Sequence, residues 1–235
     1  MKFKKLLKSL SICIAVALLA TTLTPVNANE GAKPSREKII EEFNELQKEI
    51  DEVLDIKGNK YVFDKTEVIQ VVNDSDFDFN TYNEYFNTNY TKDVFADTAV
   101  HLIETANLEY KSVGENTCSV RGTYCGKNGT SSGWNYDRFY NNKTNSEKSA
   151  TKLDELSRNW ALVAGSSGGI SAFLPGIGTA IAAGIGLGAG WNSWYAGTLA
   201  AAIRSNNSDG NCGTVTDINK FTTVFSVWSQ REFNV

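Results

Sequence analysis

Residues 159–203 form a run of 45 residues without one charged side chain, and this run limits what the chain can fold into. Ten of the 19 glycines of the chain lie in it, and Pro175-Gly176 divides it into two parts. Rows of small residues let two helices approach closely, as they do in membrane helix pairs. After the proline, small residues recur at every fourth position, at Gly176, Ala180, Gly184 and Gly188. The sequence therefore predicts an uncharged helical hairpin rich in glycine and alanine.

This uncharged hairpin needs a special environment, because each glycine disfavours a helix in water by about 1 kcal/mol relative to alanine. Close packing or surrounding lipid has to offset that cost. Trp191, Trp194 and Tyr195 follow the glycines and are residue types that favour the headgroup level of a membrane. We therefore expect a membrane-insertion segment that includes Pro175, Gly176, Ala180, Gly184, Gly188, Trp191 and Trp194. The alternative is a hairpin that packs as the buried core of a globular domain.

The N-terminus has the order of a secretory signal peptide. Four lysines lie within the first eight residues, an apolar run from Leu10 to Leu19 follows, and Val26-Asn27-Ala28 supplies small residues at its end. The apolar run is short for a transmembrane anchor. We therefore expect cleavage after Ala28, removal of residues 1–28, and secretion of the protein.

Charge is distributed unevenly along the remaining chain. Without the four lysines of residues 1–28, 19 basic and 27 acidic side chains remain, which gives a net charge of −8. Residues 29–115 carry 9 basic and 20 acidic side chains (net −11), whereas residues 116–235 carry 10 and 7 (net +3). An acidic chain without a basic run binds phosphate backbones poorly, so we expect no nucleic-acid partner.

Outside the hairpin, the patterns predict an α+β fold that is mainly helical. Apolar residues at spacings of three and four predict amphipathic helices from Ser35 to about Ile56 and from Lys92 to Asn107. Tyr61 to Phe63 favours a short strand, Glu67 to Val72 fits a strand or a helix, and Thr214 to Ser229 alternates like a C-terminal β-strand. The domains expected are an acidic helical N-terminal region (29–115) and a C-terminal region (116–235) that contains the hairpin (159–203) and the terminal strand.

The cysteines predict one disulfide in a secreted chain. Cys118 and Cys125 flank six residues with Arg121-Gly122 at their centre, and a two-residue turn there would place both cysteines opposite each other on a small β-hairpin. Directly opposite residues lie close enough for a disulfide. We favour Cys118–Cys125 over a bond from either residue to Cys212.

Catalytic and metal-binding patterns are weak in this sequence. Gly165 to Gly169 matches the G-x-S-x-G pattern of serine hydrolases, but the single histidine, His101, precedes the serine, whereas that fold needs it afterwards. Asp74, Asp76 and Asp78 begin like a calcium loop, yet phenylalanine stands where that loop requires glycine, which favours a capped acidic turn. We therefore expect no catalytic residue, metal or cofactor.

The layout of the chain resembles the geobacillin-type large secreted bacteriocins. The similarity includes KYVFDK at residues 60–65 and FLPGIGTAIAAGIGLGAG at residues 173–190. The uncharged hairpin is also similar to the hairpins of pore-forming colicins. The resemblance implies a protein that kills related bacteria at their cytoplasmic membrane, and an immunity protein or a receptor as a further partner. Many membrane-active bacteriocins are cationic, and this chain departs from them in being acidic.

From these observations we expect a secreted antibacterial protein, not an enzyme, whose hairpin inserts into the target bacterial membrane. A secreted interaction protein that uses the hairpin as buried core is the second interpretation. A hydrolase with a carboxylate-based site is the third, although no spacing among the 27 acidic residues marks such a pair.

Overall fold

Four helices and a short β-hairpin make up the N-terminal part of the chain. The computed structural model describes residues 34–112, 126–163, 189–208 and 212–231. The first elements are α1 (Arg36–Glu52), β1 (Asp55–Lys57), β2 (Lys60–Val62), α2 (Lys65–Asp74), α3 (Phe79–Phe86) and α4 (Lys92–Thr105). The helices begin where the sequence offers capping side chains: Ser35, Asp64, Asp78 and Thr91 each accept a hydrogen bond from an amide of the first turn.

The apolar faces of these helices enclose one aromatic core. Phe43 of α1 lies at its centre and is fully buried, as are Tyr82 of α3 and Phe95 of α4. Two residues from the C-terminal half, Trp134 and Phe221, belong to the same core. The N-terminal helices are therefore packed together with parts of the chain that lie far away in sequence.

The C-terminal part is built on an antiparallel five-stranded sheet in the order β3-β4-β5-β6-β7. Its strands are β3 (Asn107–Ser112), β4 (Gly129–Ser132), β5 (Tyr136–Asn141), β6 (Thr214–Asn219) and β7 (Phe225–Ser229). The described residues between β5 and β6 include two helices, α5 (Lys143–Val163) and α6 (Ala189–Ser208). A second core lies between these two helices and one face of the sheet.

The expectation of a mainly helical α+β fold is wrong, because helices make up only about half of the described residues and a five-stranded and a two-stranded antiparallel sheet stand beside them in a roughly balanced α+β fold. The expected terminal strand is two strands, β6 and β7, that join this sheet, and the turn between them removes Phe221 from the strand pattern. Strand β4, Gly129-Thr130-Ser131-Ser132, has no apolar residue and looks like a loop in sequence. The expected disulfide-linked β-hairpin at Cys118 and Cys125 lies outside the described residues.

Asp78 caps α3 and makes the stability of this helix pH-dependent. Its carboxylate accepts hydrogen bonds from the Thr81 hydroxyl and from the backbone amides of Thr81 and Asn80, at 3.1 and 3.0 Å for the amides. The Thr81 hydroxyl is the main cause that lowers the pKa of Asp78. The described residues contain no group of three side chains that could hold a metal ion. The acidic segment from residue 74 to residue 78 thus serves as a helix cap.

We expect Asp78→Ala to lower the free energy of unfolding by about 1 kcal/mol at neutral pH, because the α3 amides lose their acceptor. Since the folded pKa is below the unfolded value of about 3.9, the cap contributes fully above that value and its contribution is lost as the pH falls through the folded pKa. Urea unfolding of wild type and variant between pH 2 and 7 should show the difference closing at acid pH. Asp76→Ala is the matched control, and a gap independent of pH would contradict the assignment.

Candidate functional site

Helices α5 and α6 form an antiparallel pair that carries the uncharged segment of the sequence. They pack on one another and on Phe139 and Ile218 of the sheet. The buried apolar residues of the pair include Ala150, Leu153 and Leu156 in α5 and Ala196, Leu199, Ala200 and Ile203 in α6. Three of them are alanines, which lets the two helices lie close together. Residues 164–188 join the end of α5 to the start of α6.

One end of the pair is fixed by polar contacts, and we call it the charged end. Arg204 donates to Glu147 (Nε–Oε1 3.3 Å) and also pairs with Asp154. The Asn207 amide donates to the carbonyl of Lys143 at 3.2 Å. These contacts join the first turns of α5 to the last turns of α6, and α5 itself begins with a hydrogen bond from the Asn145 amide to the Asn142 side chain.

The opposite end of the pair, which we call the uncharged end, leads into residues 164–188. The helices come close at Gly197, where a Cβ would lie 3.0 Å from the Ser157 hydroxyl oxygen. Arg158, one residue further, is the last charged residue of α5, and Arg204 is the only charged residue of α6. Beyond the level of Ser157 and Gly197, Arg158 is therefore the only charged residue in the described part of the two helices.

The structure separates the aromatic residues that the sequence groups together at the uncharged end. Trp194 is 43% exposed. Tyr195 is buried and donates a hydrogen bond to the carbonyl of Thr223 at 2.8 Å, so it does not fit the headgroup role expected for it. Trp191 lies in the first turn of α6.

Most of the other predicted site residues lie outside the described residues. These are Ala28, Cys118, Cys125, Pro175, Gly176, Ala180, Gly184 and Gly188. Two expectations are corrected where the structure can be examined. Within its described part, the chain has no disulfide and Cys212 is a free, buried cysteine. None of the described helices is long and apolar enough to cross a membrane.

A polar network on the other face of the sheet was not predicted. Arg138 of β5 donates two hydrogen bonds to Asp217 of β6, at 2.7 and 2.6 Å, and its guanidinium lies 4.8 Å from the ring centre of Tyr136. Burial raises the pKa of the Asp217 carboxyl, and the hydrogen bonds from Arg138 oppose that shift. Nearby, the Trp134 indole donates to Asp51 at the end of α1 (2.7 Å). The alternation of Tyr136, Arg138 and Tyr140 was the only sequence sign of this face.

The polar groups of this network are paired with one another, Arg138 with Asp217 and Trp134 with Asp51, so the network holds β5 to β6 and the end of α1 to the segment before β5. Each carboxylate accepts from a named donor of the protein, and His101, the single imidazole, is exposed on α4. The uncharged end of the α5–α6 pair is thus the better candidate for a functional site. In comparisons with protein families, with curated proteins and with solved structures, the chain matches none of them.

Proposed function

We propose that this is a secreted antibacterial protein that acts at the membrane of a target cell through the uncharged end of its α5–α6 pair. One observation carries the proposal. The charges of an anchored antiparallel helix pair stop at Arg158 and Arg204, and the 25 residues that follow α5, from 164 to 188, contain none. A surface without charge can enter the headgroup region without the cost of desolvating ions.

The sheet supports this function by holding the charged end of the pair. Leu153, Leu199 and Ile203 are fully buried, and Arg204 joins the two helices by ion pairs on the outside. The pair is therefore anchored at the end away from the lipid. Exposed Trp194 lies at the level where charge stops, and tryptophan favours the boundary between water and lipid.

Dye release from anionic vesicles by the purified protein, measured together with growth inhibition of Gram-positive bacteria, tests the proposal. Release together with killing is the expected result. Killing without release would instead indicate a protein receptor or an enzymatic target. The absence of both dye release and killing would favour the second interpretation, an interaction protein. The buried residues of the α5–α6 pair already agree with that interpretation.

We expect Trp194→Ala to weaken vesicle binding about tenfold, because the exposed indole loses its contact with the lipid boundary. The matched control is Val94→Ala, which removes a side chain of similar exposure (47%) from α4. Sedimentation with vesicles gives the affinity, and circular dichroism shows that both variants are folded. Equal binding of Trp194→Ala and wild type would contradict the assigned orientation of the pair.

A further inference from the structure

The loop between β6 and β7, residues 219–224, connects the two cores of the protein. Its Phe221 side chain lies in the N-terminal core, with ring centres 5.5 Å from Phe43 and 5.3 Å from Phe95. The Tyr82 hydroxyl of α3 donates to the carbonyl of Phe221 at 2.9 Å. The Asn219 amide donates to Gln47 of α1 at 2.8 Å. The N-terminal helices therefore fix this loop through one buried ring and two hydrogen bonds.

The same loop also fixes α6. Tyr195 donates its hydroxyl proton to the carbonyl of Thr223 at 2.8 Å, and its ring centre lies 5.4 Å from that of Phe225, the first residue of β7. Burial raises the pKa of Tyr195, so the hydroxyl stays protonated and remains a donor. Tyr195 belongs to the first two turns of α6, close to the uncharged segment. A movement of this end of α6 away from the sheet has to break this contact.

Thr223 holds its part of the loop in a strained conformation. Its φ is 57°, in the left-handed region, which a β-branched residue rarely adopts. The turn is fixed around it, because the Asn219 side chain accepts from the amides of Phe221 and Thr222 at 2.9 and 3.0 Å. Strain of this kind persists only when surrounding contacts impose it, and such residues cluster at switch regions.

A layer of buried polar groups weakens the attachment of α5 to the sheet. The hydroxyls of Ser149, Thr216 and Ser229 and the side-chain nitrogen of Asn141 are buried, and no described protein group forms a hydrogen bond with them. Asn141, Thr216 and Ser229 belong to neighbouring strands and point to the face that α5 covers. Buried polar atoms without partners reduce stability. Exposure of these groups to water would let them form hydrogen bonds, and this reduces the free energy needed to detach the helix pair from the sheet.

We propose that the β6–β7 loop is a strained latch that keeps α6 docked on the sheet, and that its release lets the α5–α6 pair leave the sheet. The N-terminal helices hold the latch through Phe221, and Tyr195 connects the latch to α6. Any disturbance of the N-terminal core, for example on contact with a target cell, then weakens the hold on α6. The biological use of the latch rests on the proposed function, whereas the latch itself is a property of the free protein.

Hydrogen exchange of the α6 amides in the full chain, without vesicles, tests the latch. We expect Tyr195→Phe to speed exchange in α6 about fivefold, because a buried hydrogen bond is lost. We expect Thr223→Gly to slow it about fivefold, because glycine adopts this φ without strain. In both variants the amides of α1 should change less than those of α6. This comparison separates local opening from a change in global stability.

Two control variants match these substitutions. Tyr85→Phe removes a similar hydroxyl-to-carbonyl bond, to Pro34 at 2.7 Å, and Asn87→Gly relieves the other non-glycine residue with a left-handed φ among the described residues, at φ 50°. Neither should change exchange in α6. Faster exchange in Thr223→Gly, or equal changes in α1 and α6, would overturn the latch. If the latch variants behave as expected but no variant releases dye, the latch stands and the proposed membrane function fails.

Discussion

Replacement of Phe43 with alanine is expected to lower the free energy of unfolding by about 3–5 kcal/mol, the usual range for removal of a buried phenylalanine ring. Phe43 is fully buried, and its ring contacts four others, with centre distances of 4.9 to 5.5 Å: Phe77, Tyr82, Phe95 and Phe221. The loss should be near the upper end of the range, because a cavity lined by rigid rings collapses poorly. Urea denaturation followed by tryptophan fluorescence gives the value.

Val94→Ala is the matched control, because it shortens a side chain that is 47% exposed on α4, and a change below about 0.5 kcal/mol is expected. The Phe43 variant has a second expected effect, since it removes one wall around Phe221. Amide exchange in α6 should then become faster although Phe43 makes no contact with α6. A loss below 1 kcal/mol in Phe43→Ala would contradict the central role given to this ring.

Helices α1 and α4 could be predicted because each carries its own apolar pattern, whereas α3 is not predicted from the sequence. Apolar residues of α1 recur at spacings of three and four and Ser35 provides the cap, but the helix ends at Glu52, short of the expected Ile56. Gly58, with φ 64°, lies in the turn between β1 and β2. The sequence from Glu67 to Val72 fits a strand as well as a helix. Its apolar positions alone do not distinguish a strand from a helix. The structure has a helix, α2, which begins with a hydrogen bond from the Thr66 amide to the Asp64 side chain.

Strands β4 and β5 could not be predicted, because they do not carry their own apolar pattern, whereas the alternation from Thr214 to Ser229 does indicate the segment of β6 and β7. Strand β4 is Gly129-Thr130-Ser131-Ser132, and β5 places Arg138 on one face and Phe139 on the other. These strands are buried because α5 and α6 cover one face and because Arg138 finds Asp217 on β6. Both conditions come from residues far away in the chain. Local sequence therefore resembles a loop where the structure has a sheet.

The sequence could predict that the candidate site is an uncharged helix pair, but not which of its side chains are exposed and which are buried. The uncharged run indicated a helix pair, and the structure has α5 and α6 at its two ends. Sequence could not separate Trp194 from Tyr195, since neighbouring positions of a helix point in different directions, 100° apart. The role of Tyr195 depends on Thr223, and no sequence pattern marks a threonine with a positive φ.

Replacement of Arg138 with methionine is expected to lower the free energy of unfolding by about 3–5 kcal/mol, because it leaves the Asp217 carboxylate buried without its cation. The two side chains are only 19% and 15% exposed. The double variant Arg138→Met/Asp217→Leu should recover most of this loss, since two apolar side chains of similar size often replace a buried ion pair without cost.

Lys65→Met, which breaks an exposed pair with Glu104, is the control and should cost less than about 1 kcal/mol. A double variant as unstable as Arg138→Met would mean that the pair is needed for packing or for strand register, and not only to neutralise Asp217. Full recovery would mean that strands β5 and β6 find their register without the pair, from Phe139 and Ile218 on the face that α5 and α6 cover.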